Sequence, residues 1–572
     1  MNHWVRTMQA ILPSLLTITL SYAGLTHADN NTIQSNQIGF LVLAADRGFV
    51  GNEEIRDAFE LFSNNHAAAL VFVTDERTQQ TLTAGLDLLR NKGVRRIGVL
   101  PLFISTAEPR YQLVRELLSR EKEKYPLILA RPYGESYYAV EELANRFRAL
   151  EQTTNQNLLI VGYGANDDDN KQKMHKDWAR IVKQASQGFD FRSVSTRIIS
   201  ERKQEEDGEN YFSRVKQELA DAFLSVKSKT KDSKIQVMTF AYGPKHDSMM
   251  SLEARLERLL PDYATLRSHP IHPQHLAMWM THEANRNLPI TENNTGVVVF
   301  AHGADYHWNE NLRTAVKPLM DRYKVEFAFS MADPITIERA LRRLEQRGAK
   351  AAVIVSAYAT SNSFREEIER LTGLDIDNQQ FQHNIGSHGG HGHGCHRGMS
   401  VKPIPRIITT LPIMWTGGFE DNPLFASALL DRALELSKDP AKETVILVAH
   451  GARDDKRNQD WLKKLESIAS YIRNNGGDKF KAIHVATWRE DWPDKRASWI
   501  EKVRTMVAEA NEQGGKAIVI PARTTATGPE KQFLAGLEFE LGSGFAPHPL
   551  FTRWVEEQIQ RGMKQHTEAT NR

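Results

Sequence analysis

One pattern recurs four times in this chain and limits the fold more than any other feature: an apolar strand that breaks into a polar turn and then a helix. The strand starts read "GFLVLAADRGFVGNEEI" from Gly39, "LLIVGYGANDDDNKQKM" from Leu158, "GVVVFAHGADYHWNENL" from Gly296 and "TVILVAHGARDDKRNQDW" from Thr444. An amphipathic stretch follows each start, then a second strand ("ALVFVTDE", "RSVSTRIIS", "KVEFAFSMADP", "KAIHVATWREDWP"), a further helical pattern and a third strand ("RIGVLPLFIS", "KIQVMTFAY", "AAVIVSAYA", "KAIVIPART"). A fixed internal repeat of this kind sets the architecture before any single residue does. Continuous Val/Ile/Leu runs belong to strands covered on both faces, and strands alternating with helices imply parallel sheets. The expected fold is α/β: four tandem, doubly wound units with parallel sheets.

The units are expected over residues 29–152, 153–291, 292–437 and 438–572, which agrees with the several domains that 572 residues require. Glycines near the ends of the second helical patterns, as in "TIERALRRLEQRGAK", suit left-handed C-caps. Residues 1–28 stand apart. Arg6 precedes a short apolar stretch interrupted by Pro13, and Thr26 and Ala28 fit the small-residue rule for cleavage after Ala28. This pattern predicts a secretory signal peptide and an exported, periplasmic protein; an uncleaved anchor or a buried first helix is the alternative. No later stretch is long and apolar enough to span a bilayer. Lys and Arg number 73 against 71 Asp and Glu, so no strong field points to nucleic acid or an anionic membrane. Cys395 is the only cysteine, which excludes an intrachain disulfide.

Ligands of open parallel sheets bind beyond the carboxyl ends of the strands. Aligning the four units by sequence puts Ala44, Tyr163, His302 and His450 at one rim position. A histidine before a glycine also serves as a turn residue bonded to a backbone carbonyl, but recurrence at equivalent edges favours a site. A neutral imidazole there suits Co²⁺, Ni²⁺, Fe²⁺ or Zn²⁺. Glu490 and Asp333, at the ends of the second strands of units 4 and 3, could accept protons; either could instead be a turn residue or helix cap beside Pro493 or Pro334. A second metal feature is "HNIGSHGGHGHGCHRG", residues 383–398, where His388, His391, His393, Cys395 and His396 sit in a glycine-rich tract that cannot build a core but can wrap a cation. His269, His272 and His275 in "SHPIHPQH" read as a helix-entry turn.

The ordered set of motifs resembles the class II tetrapyrrole chelatases, the sirohydrochlorin cobaltochelatase/ferrochelatase family. "LVAHGARDD" matches its strand ending in HG, "MADP" and "WREDWP" its acidic residue and proline, and "VLPLFIS" its third strand. The resemblance implies flavodoxin-like units arranged as two bilobal pairs, with a tetrapyrrole and a divalent metal (Co, Ni or Fe) as substrates. It gives His302 and His450 the metal-binding and proton-removing role. The family's second histidine, after the third strand, has a counterpart only in unit 2, His246 of "AYGPKHDSMM". The expected activity is therefore insertion of a divalent metal into a sirohydrochlorin-type ring, a lyase-class reaction; the alternative is a non-catalytic exported metal-binding or metal-delivery protein on the same fold.

Overall fold

Each apolar run forms the strand it announces. In the computed structural model, unit 1 has β1 (Ile38–Ala45), β2 (Ala68–Val73), β3 (Arg96–Leu102) and β4 (Leu127–Leu129). Unit 2 has β5 (Asn157–Tyr163), β6 (Ser193–Ile199), β7 (Ile235–Thr239) and β8 (Ala264–Leu266). Unit 3 has β9 (Thr295–Ala301), β10 (Lys324–Phe329), β11 (Ala351–Ser356) and β12 (Ile413–Gly417). Unit 4 has β13 (Glu443–Ala449), β14 (Ala482–Thr487), β15 (Lys516–Pro521) and β16 (Glu540–Leu541). The structure describes residues 38–46, 48–74, 77–164, 167–200, 206–229, 234–240, 252–267, 272–377, 403–525 and 528–570. The expected signal peptide and the His-rich tract lie outside them.

The strand order is the same in all four sheets: second, first, third, fourth. Every pairing is parallel. First strands are central and covered on both faces; all seven residues of β9 and all seven of β13 are buried. Helix punctuation follows the sequence. Gly93 and Gly348, with φ of +79° and +75°, each stand one residue past the C-cap of their helix, and the helices Pro273–Arg286, Pro423–Leu436 and Pro549–Thr570 start on proline.

The four units form two pairs, and the pairing is built by exchange of helices. The last helix of each unit leaves its own unit and packs on the first helix of its pair partner: Tyr137–Ala149 on Asp168–Ala185, Pro273–Arg286 on Gly48–Ser63, Pro423–Leu436 on Asp455–Asn474, and Pro549–Thr570 on Tyr306–Val316. The final helix also lies across β11 and β12 of unit 3, where Gly562 meets Val353. One core therefore belongs jointly to units 1 and 2, uniting Phe40, Tyr138, Trp178 and Trp279. Another belongs to units 3 and 4, uniting Val299, Phe425, Leu447 and Trp554. Each unit keeps a smaller core on its outer face. The pairs meet through Tyr137 and Tyr138, whose hydroxyls reach the carbonyls of Ile407 and Thr409, and through an ion cluster in which Arg131 binds Glu283 at 2.9 Å and Asp377 at 3.1 Å.

Alternation along the first strands corrects one equivalence. Phe40, Val42 and Ala44 face the shared core of units 1 and 2, as Val297, Val299 and Ala301, and Val445, Leu447 and Ala449, face that of units 3 and 4. Ala44 thus corresponds to Ala301 and Ala449, and the residue matching His302 and His450 is Ala45, because a one-residue slip turns a strand side chain to the opposite face.

Candidate metal-handling site at the strand edges of units 3 and 4

Beyond β9 and β13 the backbone makes the same turn. Gly303 and Gly451 take φ of +74° and +85°. A Cβ on Gly303 would lie 2.6 Å from Cβ of Phe329, and one on Gly451 would lie 2.8 Å from Cβ of Thr487. Glycine is required twice over at each position, for conformation and for space. The turn carries the preceding imidazole to the rim, with Nδ1 directed at the glycine carbonyl: 2.6 Å from His302 to Gly303 O and 2.9 Å from His450 to Gly451 O. A carbonyl only accepts, so each Nδ1 carries a proton and Nε2 is the nitrogen turned outward, the atom through which such a ring would bind a metal.

The two rims differ in what faces Nε2. His302 is exposed and its Nε2 meets no partner among the described residues. Asp333 is occupied elsewhere, capping the helix Pro334–Gln346 by accepting the Ile335 N–H at 2.9 Å. Tyr306, Met331 and Ile335 are left exposed on the same edge of unit 3. At unit 4, Nε2 of His450 lies 2.9 Å from Oδ2 of Asp491 and 3.6 Å from Oε1 of Glu490, with a third of the side chain accessible. The ring stands edge-on to Trp492 at 5.6 Å and roughly parallel to Trp461 at 6.4 Å.

Of the acidic pair, Glu490 is held by a basic group behind it, and Asp491 stands exposed at the rim. Arg523, just past β15, grips Glu490 with Nη2 at 2.9 Å and Nη1 at 3.4 Å, and reaches Glu530 at 3.7 Å. Glu530, 1% exposed, also accepts the indole N–H of Trp488 at 3.2 Å. Arg489 has φ of +50° and donates its backbone N–H to the His450 carbonyl at 2.7 Å. Its guanidinium binds the carbonyls of Ala452 and Arg453 and the carboxylate of Asp455. Buried Asn458 accepts from the Ala452 N–H and the Thr487 hydroxyl, both at 3.1 Å. The loop carrying His450 is therefore fixed from both sides.

Of the residues singled out in the sequence, the structure brings together His450 and Glu490. No hydrogen bond or ring contact joins His302 to His450 among the described residues. His246, His388, His391, His393, Cys395 and His396 lie outside the described residues. His272 is the N-cap residue of a helix, and part-buried His275 in its first turn bonds the Tyr138 carbonyl, which agrees with a helix-entry turn. Sequence reasoning missed Asp491, Arg523, Glu530 and the two tryptophans. Only Asp491 and Trp492 had a signal, their place in "REDWP". Among the described residues no group of three or more His, Cys, Asp or Glu side chains is arranged to hold a metal ion, and no helix is long and apolar enough to cross a membrane.

The CbiX family model matches residues 49–150, in unit 1. Sirohydrochlorin cobaltochelatases from two strains of Saccharolobus islandicus are each 31% identical over 91 residues, which is 15% of this chain and 71% of the relative. Among solved structures, a multi-domain protein of Deinococcus radiodurans with structural similarity to chelatases aligns with a TM-score of 0.30 at 16% identity, covering 47% of this chain and 54% of that one. The sirohydrochlorin chelatase SirB of Bacillus subtilis subspecies spizizenii, in complex with cobalt, aligns with a TM-score of 0.30 at 14% identity, covering 42% of this chain and 91% of that one.

Proposed function

The chain belongs to the CbiX family, the family of the sirohydrochlorin cobaltochelatases, and on that premise we propose that it inserts a divalent metal into a sirohydrochlorin-type tetrapyrrole at the rim of unit 4. Co²⁺, Ni²⁺ and Fe²⁺ suit the imidazole, with Zn²⁺ also compatible. The observation that carries the reading is His450 itself. Its Nδ1–H is anchored on Gly451 O, and its Nε2 faces two carboxylates between two indole rings.

Insertion exchanges two pyrrole N–H protons for one M²⁺, so the site must hold a cation near the ring and take up protons. Nε2 of His450 supplies the metal contact. Asp491 and Glu490, both within 4 Å of that nitrogen, are the proton acceptors. A metal that is cargo must leave with the ring, and one imidazole beside two carboxylates holds it more weakly than a closed four-ligand cage would. Trp461 and Trp492 offer flat apolar walls to a flat ring. We assign His302, with no acceptor beside its Nε2, to metal binding alone. The leader-like segment ending at Ala28 places this activity outside the cytoplasm in our reading, with Asp29 as the first residue of the exported protein.

The test is to mix the purified protein with sirohydrochlorin and Co²⁺ and follow the absorbance spectrum. The expected result is metallation by the wild type, with a rate loss of about 100-fold or more in His450→Ala, the scale of a lost acid–base and ligand group. No spectral change with the wild type, or full activity in His450→Ala, refutes the proposal. An exported protein starting elsewhere than Asp29, read by N-terminal sequencing, refutes its location.

A further inference from the structure

We propose that Arg523 is the positioning residue of the unit 4 site, holding the Glu490 carboxylate against His450 from the turn just past the third strand. The inference rests on the function proposed above for His450, but its geometry stands independently.

Three observations carry it. First, Arg523 binds Glu490 through both terminal nitrogens, at 2.9 Å and 3.4 Å, a two-point contact that fixes the carboxylate's orientation as well as its place. Lysine, a point charge, would fix only its place. Second, the arginine is itself held. Glu530 lies 3.7 Å away on the inner side, is 1% exposed, and is anchored by the Trp488 indole N–H. Gly528 allows this close packing, since a Cβ there would lie 2.5 Å from the Glu530 carboxylate and 2.8 Å from Arg523 Nη1. Third, the backbone around Arg523 is tied down. Its carbonyl accepts the Phe545 N–H at 3.0 Å, and the neighbouring Thr524 hydroxyl donates to Ala357 O of unit 3 at 2.9 Å. A line of contacts thus runs from Trp488 through Glu530, Arg523 and Glu490 to His450. It begins in a buried indole and ends at an accessible imidazole.

The chemical consequence is a division of labour. A guanidinium has no lone pair to offer a metal, so Arg523 acts on the site only by aiming the Glu490 carboxylate. Unit 3 has no such device, since Tyr358 follows Ala357 where Arg523 follows Ala522, and its hydroxyl donates to the Ser330 carbonyl at 2.7 Å.

The test compares wild type with Arg523→Lys, Glu490→Gln, and Arg523→Ala combined with Glu530→Gln, the last keeping the buried charge balanced. In the metal-free protein labelled with ¹⁵N-histidine, the His450 ring signals are expected to move in Arg523→Ala/Glu530→Gln as they do in Glu490→Gln, and to be partly restored in Arg523→Lys. In the metallation assay the same variants are expected to lose about 10- to 100-fold in kcat with KM for Co²⁺ nearly unchanged, and adding Glu490→Gln is expected to bring little further loss. His450 signals identical to wild type in Arg523→Ala/Glu530→Gln, or losses that multiply when the variants are combined, overturn the proposal. Absence of metallation by the wild type refutes the proposed function instead, and the ring signals still decide the role of Arg523.

Discussion

Removing Arg131 should loosen the junction between the two pairs, because this one guanidinium serves three units. It leaves unit 1 just past β4 and binds Glu283, on the last helix of unit 2, and Asp377, in unit 3. The Glu283 and Asp377 side chains are 2% and 8% exposed. Burial works to raise the Glu283 carboxyl, and Arg131 and Arg286 overcome it, holding the group well below the usual carboxylate range. Arg131→Met keeps the length and removes the charge. Breaking a buried pair by deleting one partner costs about 3–5 kcal/mol. Arg286 remains, 3.9 Å from Glu283 and 3.5 Å from Asp377, so the lower end applies. About 3 kcal/mol corresponds to a fall of about 6–12 °C in Tm for a unit the size of one pair. Because the folded Glu283 binds its proton later than the unfolded one, its stabilisation is present above about pH 4.3 and is lost as pH falls through lower values. With Arg131 gone the folded Glu283 carboxyl moves back up towards the unfolded one, so that acid limb should shrink and the Tm gap between wild type and variant should narrow in acid. Scanning calorimetry at pH 7 and about pH 3 measures both effects. A Tm within 2 °C of wild type refutes the reasoning, as does a triple variant Arg131→Met/Glu283→Gln/Asp377→Asn no more stable than the single one, since discharging the stranded carboxylates should restore most of the loss.

Two further outcomes follow from packing and burial. Gly562→Ala puts a Cβ 2.6 Å from Val353 Cγ1, so the final helix should lose about 1–3 kcal/mol to overpacking, partly offset by about 1 kcal/mol of helix propensity, and Val353→Ala should relieve it; equal unfolding midpoints for Gly562→Ala and wild type would exclude a helix seated on β11. His66, His275 and His566 are all held below the ordinary histidine range, chiefly by burial. The unfolded chain therefore takes up their protons first, and the stability they support, present above about pH 6.5, should fall as the solution is made more acidic; urea midpoints unchanged from pH 7 to 5.5 would contradict this.

What the sequence disclosed, and what it hid, follows from the range of each interaction. The runs "GVVVFA" and "TVILVA" are legible because strands covered on both faces are apolar along almost their whole length. Fourth strands such as Glu540–Leu541 are not, because two residues pairing with β15 carry no pattern of their own. The helix exchange is hidden for a related reason: an amphipathic stripe says that a helix is buried but not against which sheet. Ala44 and Ala45 differ in neither size nor polarity, so the choice between them waited on which face each occupies. At the site, His302, His450 and Glu490 could be read because each stands in a short local motif. Asp333 is a helix cap, the alternative that its place before Pro334 already offered. Arg523 lies 33 residues from Glu490, and nothing local marks such a pairing.

The duplication also shows where the chemistry of the rim resides. Units 3 and 4 share the backbone device down to the hydrogen bond by which Ser330 and Trp488 donate to the last alanine of the first strand, Ala301 at 2.9 Å and Ala449 at 2.8 Å. From those residues to the proline that opens the next helix, unit 3 has "SMADP" and unit 4 has "WREDWP", one residue longer. In the shorter turn the residue before proline is Asp333, and its carboxylate is consumed as the helix cap. In the longer turn that place goes to Trp492, which makes no side-chain cap and turns its ring to His450, and the two acidic residues before it are released toward Nε2. One inserted residue thus separates an imidazole without an acceptor from one with two. The backbone positions the imidazole in both units, and the length of the second turn decides whether carboxylates stand beside its Nε2.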